Sequence, residues 1–324
     1  MKAFVLAAGF GTRLRPFTEH IPKPLIPVLN VPSLFYAFAL LKESGVREIV
    51  CNIHHHAAEI RKAADAFDFG ELRITFSEET TILGTGGGLK RCEPLLKDGD
   101  FLLVNSDIIT DIDFRALIDK HRSSEKAGTL CLYETPGAAS IGMVGIEGEL
   151  VRDFAGRRGT GLESSFIYTG SAVFSPEIFR HLETGFSGIV ETGFYGLVDR
   201  NTLGYHLHRG LWQDIGTLES YLRANLDTPP VADRLGAIVE QAIGIRPNRI
   251  APDARIASGA TITHSVIGSG CVIGTGCRIH RSVLLPGTVV QAGTLMEDAV
   301  ADQYGTTPVS FKPATPKPIM EKNQ

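Results

Sequence analysis

Residues 6–28 read LAAGFGTRLRPFTEHIPKPLIPV, and this stretch decides how the first two thirds of the chain are read. Ala3 to Ala8 are apolar or small and make a buried strand. The strand runs into Gly9-Phe10-Gly11-Thr12-Arg13, and Lys23 follows between Pro22 and Pro24. Glycines at positions 9 and 11 let backbone N–H groups turn toward a bound anion. Arg13 can grip phosphate oxygens in a bidentate manner. Lys23 adds a compact positive charge on a segment stiffened by its prolines. The dinucleotide fingerprint G-x-G-x-x-G would need glycine at position 14, which is Leu14, and the P-loop pattern is absent. The combination suits a polyphosphate whose charge shifts during reaction. A tight strand-exit turn with surface cations is the plainer alternative.

Downstream the pattern alternates. Ser33 to Ser44 has helical periodicity and stops at Gly45. Glu48 to Ile53, Leu72 to Ser77 and Phe101 to Val104 read as strands, while Ala57 to Phe67, Gly88 to Leu96 and Phe114 to Ser123 read as helices. The alternation predicts an α/β fold, a Rossmann-like, mostly parallel sheet with helices on both faces. Such sheets bind ligands at the carboxyl ends of their strands, where the glycine loop and Asp107 fall. From Ala127, strand-like segments turning at Glu147-Gly148 and at Gly156 to Gly161 predict an antiparallel excursion over the open edge of the site.

A repeat follows. Ile250, Ile256 and Ile262 are succeeded by Ile267, Ile273 and Ile279, then by Leu284, Val290 and Met296, each set 17 residues after the last. Small residues, Cys271 and Cys277 among them, stand two positions before the anchors, and glycines stand three before most of them. One inward aliphatic residue per short strand, with small corners, suits a triangular coil. The segment resembles a hexapeptide-repeat, left-handed parallel β-helix. The expected division is a unit over 1–227, a linker at Thr228-Pro229-Pro230 with the β-helix over 228–305, and a Pro/Lys-rich tail over 306–324, extended or disordered.

At 324 residues the chain exceeds one domain of roughly 100–200. A net charge of −4 offers no basic field for nucleic acid. No apolar run approaches the ~20 residues of a membrane span. Gly9, Gly11, Arg13 and Arg15 interrupt the N-terminal apolar run before a signal segment forms. Cys51, Cys92, Cys131, Cys271 and Cys277 show no C-x-x-C pair and read as buried thiols in a reducing cytoplasm.

Asp107 closes the strand FLLVNSD, and Asp214 lies in Trp212-Gln213-Asp214-Ile215-Gly216-Thr217. Two carboxylates meeting at one crevice suit Mg²⁺, which takes one or two carboxylates besides phosphates and water. Either alone could be a turn or cap aspartate. Leu83 to Leu89 reads LGTGGGL, a glycine run between strand and helix that lets a flat base approach the backbone; a flexible loop with a helix cap at Thr85 is the alternative. His54, His55 and His56 sit on an extended loop, where side chains alternate and cannot all face one ion. Trp212 reads as packing beside Asp214.

The ordered set Gly9, Gly11, Thr12, Arg13, Leu14 and Lys23 resembles the signature of the sugar-1-phosphate nucleotidylyltransferases, over residues 1–227. The resemblance implies that Leu6, Ala8, Gly9, Gly11, Thr12, Arg13, Lys23 and Asp107 bind the nucleotide, with Arg13 at the triphosphate and Lys23 assisting at the α-phosphate. It places Gly84, Thr85, Gly86 and Gly87 at the base, and Asp107 and Asp214 on Mg²⁺. It places Gly142, Thr169 and Gly170 on the sugar side. The family's Glu-Lys-Pro is replaced here by Gly156-Arg157-Arg158, so either Arg157 or Arg158 takes the lysine's place on the sugar phosphate or both are solvated. The implied reaction joins an NTP, either GTP or UTP, to a sugar 1-phosphate and releases pyrophosphate. Mannose-1-phosphate guanylyltransferases often carry such a β-helix. N-acetylmuramate-1-phosphate uridylyltransferases share the triple-glycine segment. A non-catalytic regulatory subunit would be expected to lack Arg13, Lys23, Asp107 or Asp214. An acyltransferase reading would rest on His264 or His280, but three coils offer little cleft. The β-helix is expected to build a homo-oligomer.

Overall fold

The computed structural model describes residues 1–227 and 232–311. Contacts divide the chain into two units, Met1–Arg249 and Ile250–Gln324.

The first unit is built on nine strands: β1 (Lys2–Leu6), β2 (Glu48–Ile53), β3 (Arg73–Glu78), β4 (Phe101–Asn105), β5 (Gly128–Glu134), β6 (Val144–Glu147), β7 (Leu150–Phe154), β8 (Phe166–Phe174) and β9 (Leu203–His208). They pair in the order β3-β2-β1-β4-β8-β5-β9-β7-β6. The first four are parallel to one another. β8 then runs antiparallel to both β4 and β5, and β6 and β7 close the far edge as an antiparallel pair. The apolar runs AFV and FLLV of β1 and β4 are buried almost completely, as strands covered on both faces must be. A separate ribbon pairs Ile108–Thr110 with Trp212–Asp214, antiparallel, with Asp214 opposite Ile108.

Two segments depart from the sequence reading. Residues 232–243, taken as part of the linker region, form a helix, Ala232–Ile243, that packs on the helix Ser33–Glu43. Leu235, Val239 and Ala242 make its buried stripe at helical spacing. The glycine run is not a loop. Gly84–Arg91 is a helix, and the expected cap at Thr85 is displaced to Leu83. Thr228, Pro229 and Pro230 lie outside the described residues.

The second unit is a parallel β-helix. Ile256, Ile273 and Val290 stack in register; so do Ile262, Ile279 and Met296, and Ile267, Leu284 and Ala301. Ile250 and Ile256, at the open end, are 46% and 40% exposed because no coil precedes them. At the start of the expected tail, Thr306–Pro308 is extended as a strand, antiparallel to Ala299–Ala301. Residues 312–324 of the tail lie outside the described residues. All five cysteines are buried and free. No helix among the described residues is long and apolar enough to cross a membrane.

Candidate active site

The carboxyl ends of β1, β2 and β4 open into a cleft of about 180 Å³. Leu6, Ala8, Gly9, Lys23, Gly84, Thr85 and Asp107 line it, together with Ala7, Pro24, Asn52, Ile82, Asn105 and Ser106. Lys23 opens a short turn between the buried Pro22 and Pro24, and its ammonium pairs with the Asp107 carboxylate. Gly11 has φ +67°, and a Cβ there would stand 2.9 Å from the Lys23 Cβ, so only glycine lets the loop lie against Lys23. Thr18 Oγ1 donates to the Gly11 carbonyl at 2.9 Å and holds that approach. Thr12 and Arg13, both exposed, begin the turn Thr12–Leu14.

The ribbon brings in the second carboxylate. The Ile215 N–H donates to the Asp107 carbonyl at 3.1 Å, so Asp214 and Asp107 sit side by side. A Cβ on Gly216 would lie 2.7 Å from Arg13 Nη2 and 2.9 Å from Asp214 Oδ1, which puts guanidinium and carboxylate against the same glycine. Burial first, and then the Asp107 charge, push the Asp214 carboxyl above the usual carboxylate range; Lys23, the Gly216 N–H and Arg13 oppose this. Arg13, Lys23, Asp107 and Asp214 are thus gathered from distant points of the sequence.

The glycine-rich helix faces a loop. The Gly86 N–H donates to the Ser187 carbonyl at 2.9 Å, and the Ser187 N–H donates to the Leu83 carbonyl at 3.0 Å. Thr85 Oγ1 accepts from the Ile189 N–H at 2.9 Å. A Cβ on Gly87 would stand 1.8 Å from the Gly185 carbonyl. Gly86 and Gly87 therefore serve this close contact, and Gly84 and Thr85 alone of the four reach the cleft.

None of the sugar-side residues lines the cleft, although their segments adjoin: Met143 bridges Ile167, and its carbonyl accepts from the Ala155 N–H. Gly142 does not line the cleft. Thr169 is 0% exposed, and its hydroxyl donates to the Cys131 carbonyl at 2.9 Å, so its side chain has no surface to offer a ligand. Its carbonyl instead accepts from Trp212 Nε1 at 2.9 Å, and Trp212 stacks on Tyr133. At Gly170, φ is +82° and a Cβ would lie 2.7 Å from Asn105 Nδ2, so the glycine makes room for Asn105, which lines the cleft. Arg157 pairs with Glu191, and Arg158 pairs with Asp199 while its guanidinium lies 4.1 Å from the Tyr195 ring centroid. Both arginines are engaged by carboxylates of the chain itself.

Sequence reading missed a buried polar relay. Asn52 Oδ1 accepts from the Ala7 N–H at 2.9 Å, and Asn52 Nδ2 donates to Glu79 Oε1 at 2.7 Å. Glu79 Oε2 accepts from the Leu83 N–H at 2.8 Å. The relay ties the glycine loop to the start of the glycine-rich helix. Asparagine inside the strand EIVCNI was its only signal. The histidines sit beside the loop: His54 meets Phe10 edge-on at 5.1 Å, and the His55 imidazole is pushed down by burial and by His56 and His54.

Comparison with known proteins agrees with this architecture. Residues 2–229 match the family described as nucleotidyl transferase, and the chain belongs to that family. Residues 238–311 match the GlmU-like C-terminal hexapeptide region. N-acetylmuramate α-1-phosphate uridylyltransferase of Neisseria meningitidis is 34% identical over 224 residues, 67% of this chain and 94% of that protein. Mannose-1-phosphate guanyltransferase 2 of Candida glabrata is 32% identical over 276 residues, 81% of this chain and 71% of that protein. HddC from Yersinia pseudotuberculosis shares the fold, with a TM-score of 0.59 at 23% identity, over 69% of this chain and 97% of that one.

Proposed function

We propose that the chain transfers a nucleotidyl group from an NTP to a sugar 1-phosphate, forming an NDP-sugar and pyrophosphate. The observation that carries this is the convergence of Arg13, Lys23, Asp107 and Asp214 beside one glycine-walled cleft. The nucleophile is the sugar phosphate oxygen, already ionised near neutral pH because a phosphomonoester's second pKa is about 6. No general base is needed, and catalysis is positioning and charge neutralisation. Lys23 meets charge developing at the α-phosphorus, Arg13 meets the departing pyrophosphate, and the base lies along Gly84 and Thr85. The donor set fits Mg²⁺: Asp107 and Asp214 are neighbours whose repulsion is felt at Asp214, and a divalent cation held by the two carboxylates would relieve it. Mg²⁺ bound there supplies further charge neutralisation to the phosphates.

The preferred substrates are GTP and mannose 1-phosphate, because the guanyltransferase match extends past the catalytic part of the chain. The higher identity to the uridylyltransferase favours UTP with an N-acetylmuramate 1-phosphate as the second reading. The β-helix serves assembly: Val289 and Leu295, 59% and 75% exposed, are apolar surface that a second copy would cover. The test is pyrophosphate release from each NTP with a panel of sugar 1-phosphates. No release from any pair would reject the reading.

A further inference from the structure

Phe186 is 77% exposed, more than any other large apolar side chain exposed on the described surface. Nothing in its loop is slack. Gly185 takes φ +90° and turns the chain so that Phe186 stands out. The next residue is pinned twice to the glycine-rich helix: the Ser187 N–H donates to the Leu83 carbonyl, and the Ser187 carbonyl accepts from the Gly86 N–H. The Ile189 N–H adds a third pin on Thr85 Oγ1. Two of the residues touched by this loop, Gly84 and Thr85, belong to the cleft wall. A Cβ on Gly84 would stand 2.5 Å from the Ser187 carbonyl oxygen and 3.5 Å from Phe186 Cε2, so the ring stands beside Gly84, just outside the lining of the cleft.

We infer that Phe186 is a stacking platform for the nucleobase of the bound NTP. The inference rests on the proposed function, which lays the base along Gly84 and Thr85. The loop backbone that carries the ring is held by hydrogen bonds, so little backbone ordering is left to be lost when the base arrives. Every base has a π-face, so the contact adds affinity without choosing among bases. The loop and the glycine run form one device: glycines at 84, 86 and 87 let the loop close on the helix, and closure sets where the backbone of Phe186 stands.

The experiment compares the full chain with Phe186→Ala and Phe186→Tyr. Phe186→Ala should raise KM for every accepted NTP about tenfold, with kcat and KM for the sugar 1-phosphate moving less than about twofold. Phe186→Tyr should restore the wild-type KM. Thermal melting should be unchanged, because the ring is exposed and the pins are made by the main chain and Thr85. An unchanged KM for NTP in Phe186→Ala overturns the inference, as does a rise confined to the sugar 1-phosphate. If the wild type turns over no pair of substrates, the proposed function fails. Direct titration of both proteins with each NTP alone then decides: equal affinities, or no binding to either, overturn the platform, and weaker binding to Phe186→Ala upholds it.

Discussion

Replacing Lys23 by alanine tests the mechanism most directly. The Lys23 and Asp107 side chains are only 14% and 21% exposed, so water is a poor substitute for the missing ammonium. Arg13 remains, but it lies against Gly216 and Asp214. A preorganised group aimed at developing charge is worth about 3–4 kcal/mol, or about 10²–10³ in rate. Lys23→Ala should lower kcat by that factor and move KM for NTP by less than about threefold. The ground state responds as well. The Asp214 carboxyl, raised by burial and by Asp107, loses the opposing pull of Lys23. A carboxyl raised on folding favours the fold below its unfolded value, and that contribution is lost as pH rises through the folded value. The loss in Tm should therefore be larger near neutral pH than at or below the ordinary carboxylate value of 3.8. Steady-state pyrophosphate release and thermal melts at the two pH values read both effects. A variant in which only KM rises would make Lys23 a ground-state binder. An equal Tm loss at both pH values would remove the charge argument.

Asp107→Asn should lose most turnover in Mg²⁺ while keeping the fold; full activity of the variant, or of the wild type in excess chelator, would take the metal out of the site. Gly87→Ala drives a Cβ to 1.8 Å from the Gly185 carbonyl and should cost about 1–3 kcal/mol with a raised KM for NTP, measured by melting and initial rates. Gly99→Ala, with nothing within 4 Å, is its control, and equal stability of the two would contradict the close packing. A chain ending at Arg249 should retain pyrophosphate release, whereas one ending at Asp227 loses the helix Ala232–Ile243 and should melt lower; a folded but inactive 1–249 fragment would make the β-helix part of the active site.

The elements that were legible share one property: their signal is local. The apolar runs Ala3–Ala8 and Phe101–Val104 announce strands, and the 17-residue spacing from Ile256 to Ile273 announces the coils. Four charged residues stood out because Asp107 and Asp214 close strands, Lys23 sits between prolines and Arg13 follows the glycine loop. The glycine run misled because glycine usually marks turns, and here its partner, the loop at Gly185 to Ile189, is about 100 residues away. The partners of the sugar-side residues were illegible for a related reason. Nothing near Thr169 shows that Cys131 takes its hydroxyl, and nothing near Arg157 and Arg158 shows that Glu191 and Asp199 take the guanidiniums. The helix Ala232–Ile243 was overlooked because the proline pair before it drew the reading toward a linker.

The register of the β-helix sets how this part of the gene can change length. Each rung lies beside the rung 17 residues on, as Thr261 lies beside Arg278 and Arg278 beside Leu295. Duplicating one such segment would insert a whole coil and leave every other rung in register, whereas a shorter insertion would rotate aliphatic residues out of the core. Growth has a fixed end, because Thr306–Pro308 runs antiparallel along Ala299–Ala301 and occupies the edge where another parallel coil would dock. New coils must therefore enter upstream of that strand, and the closing strand travels outward with them.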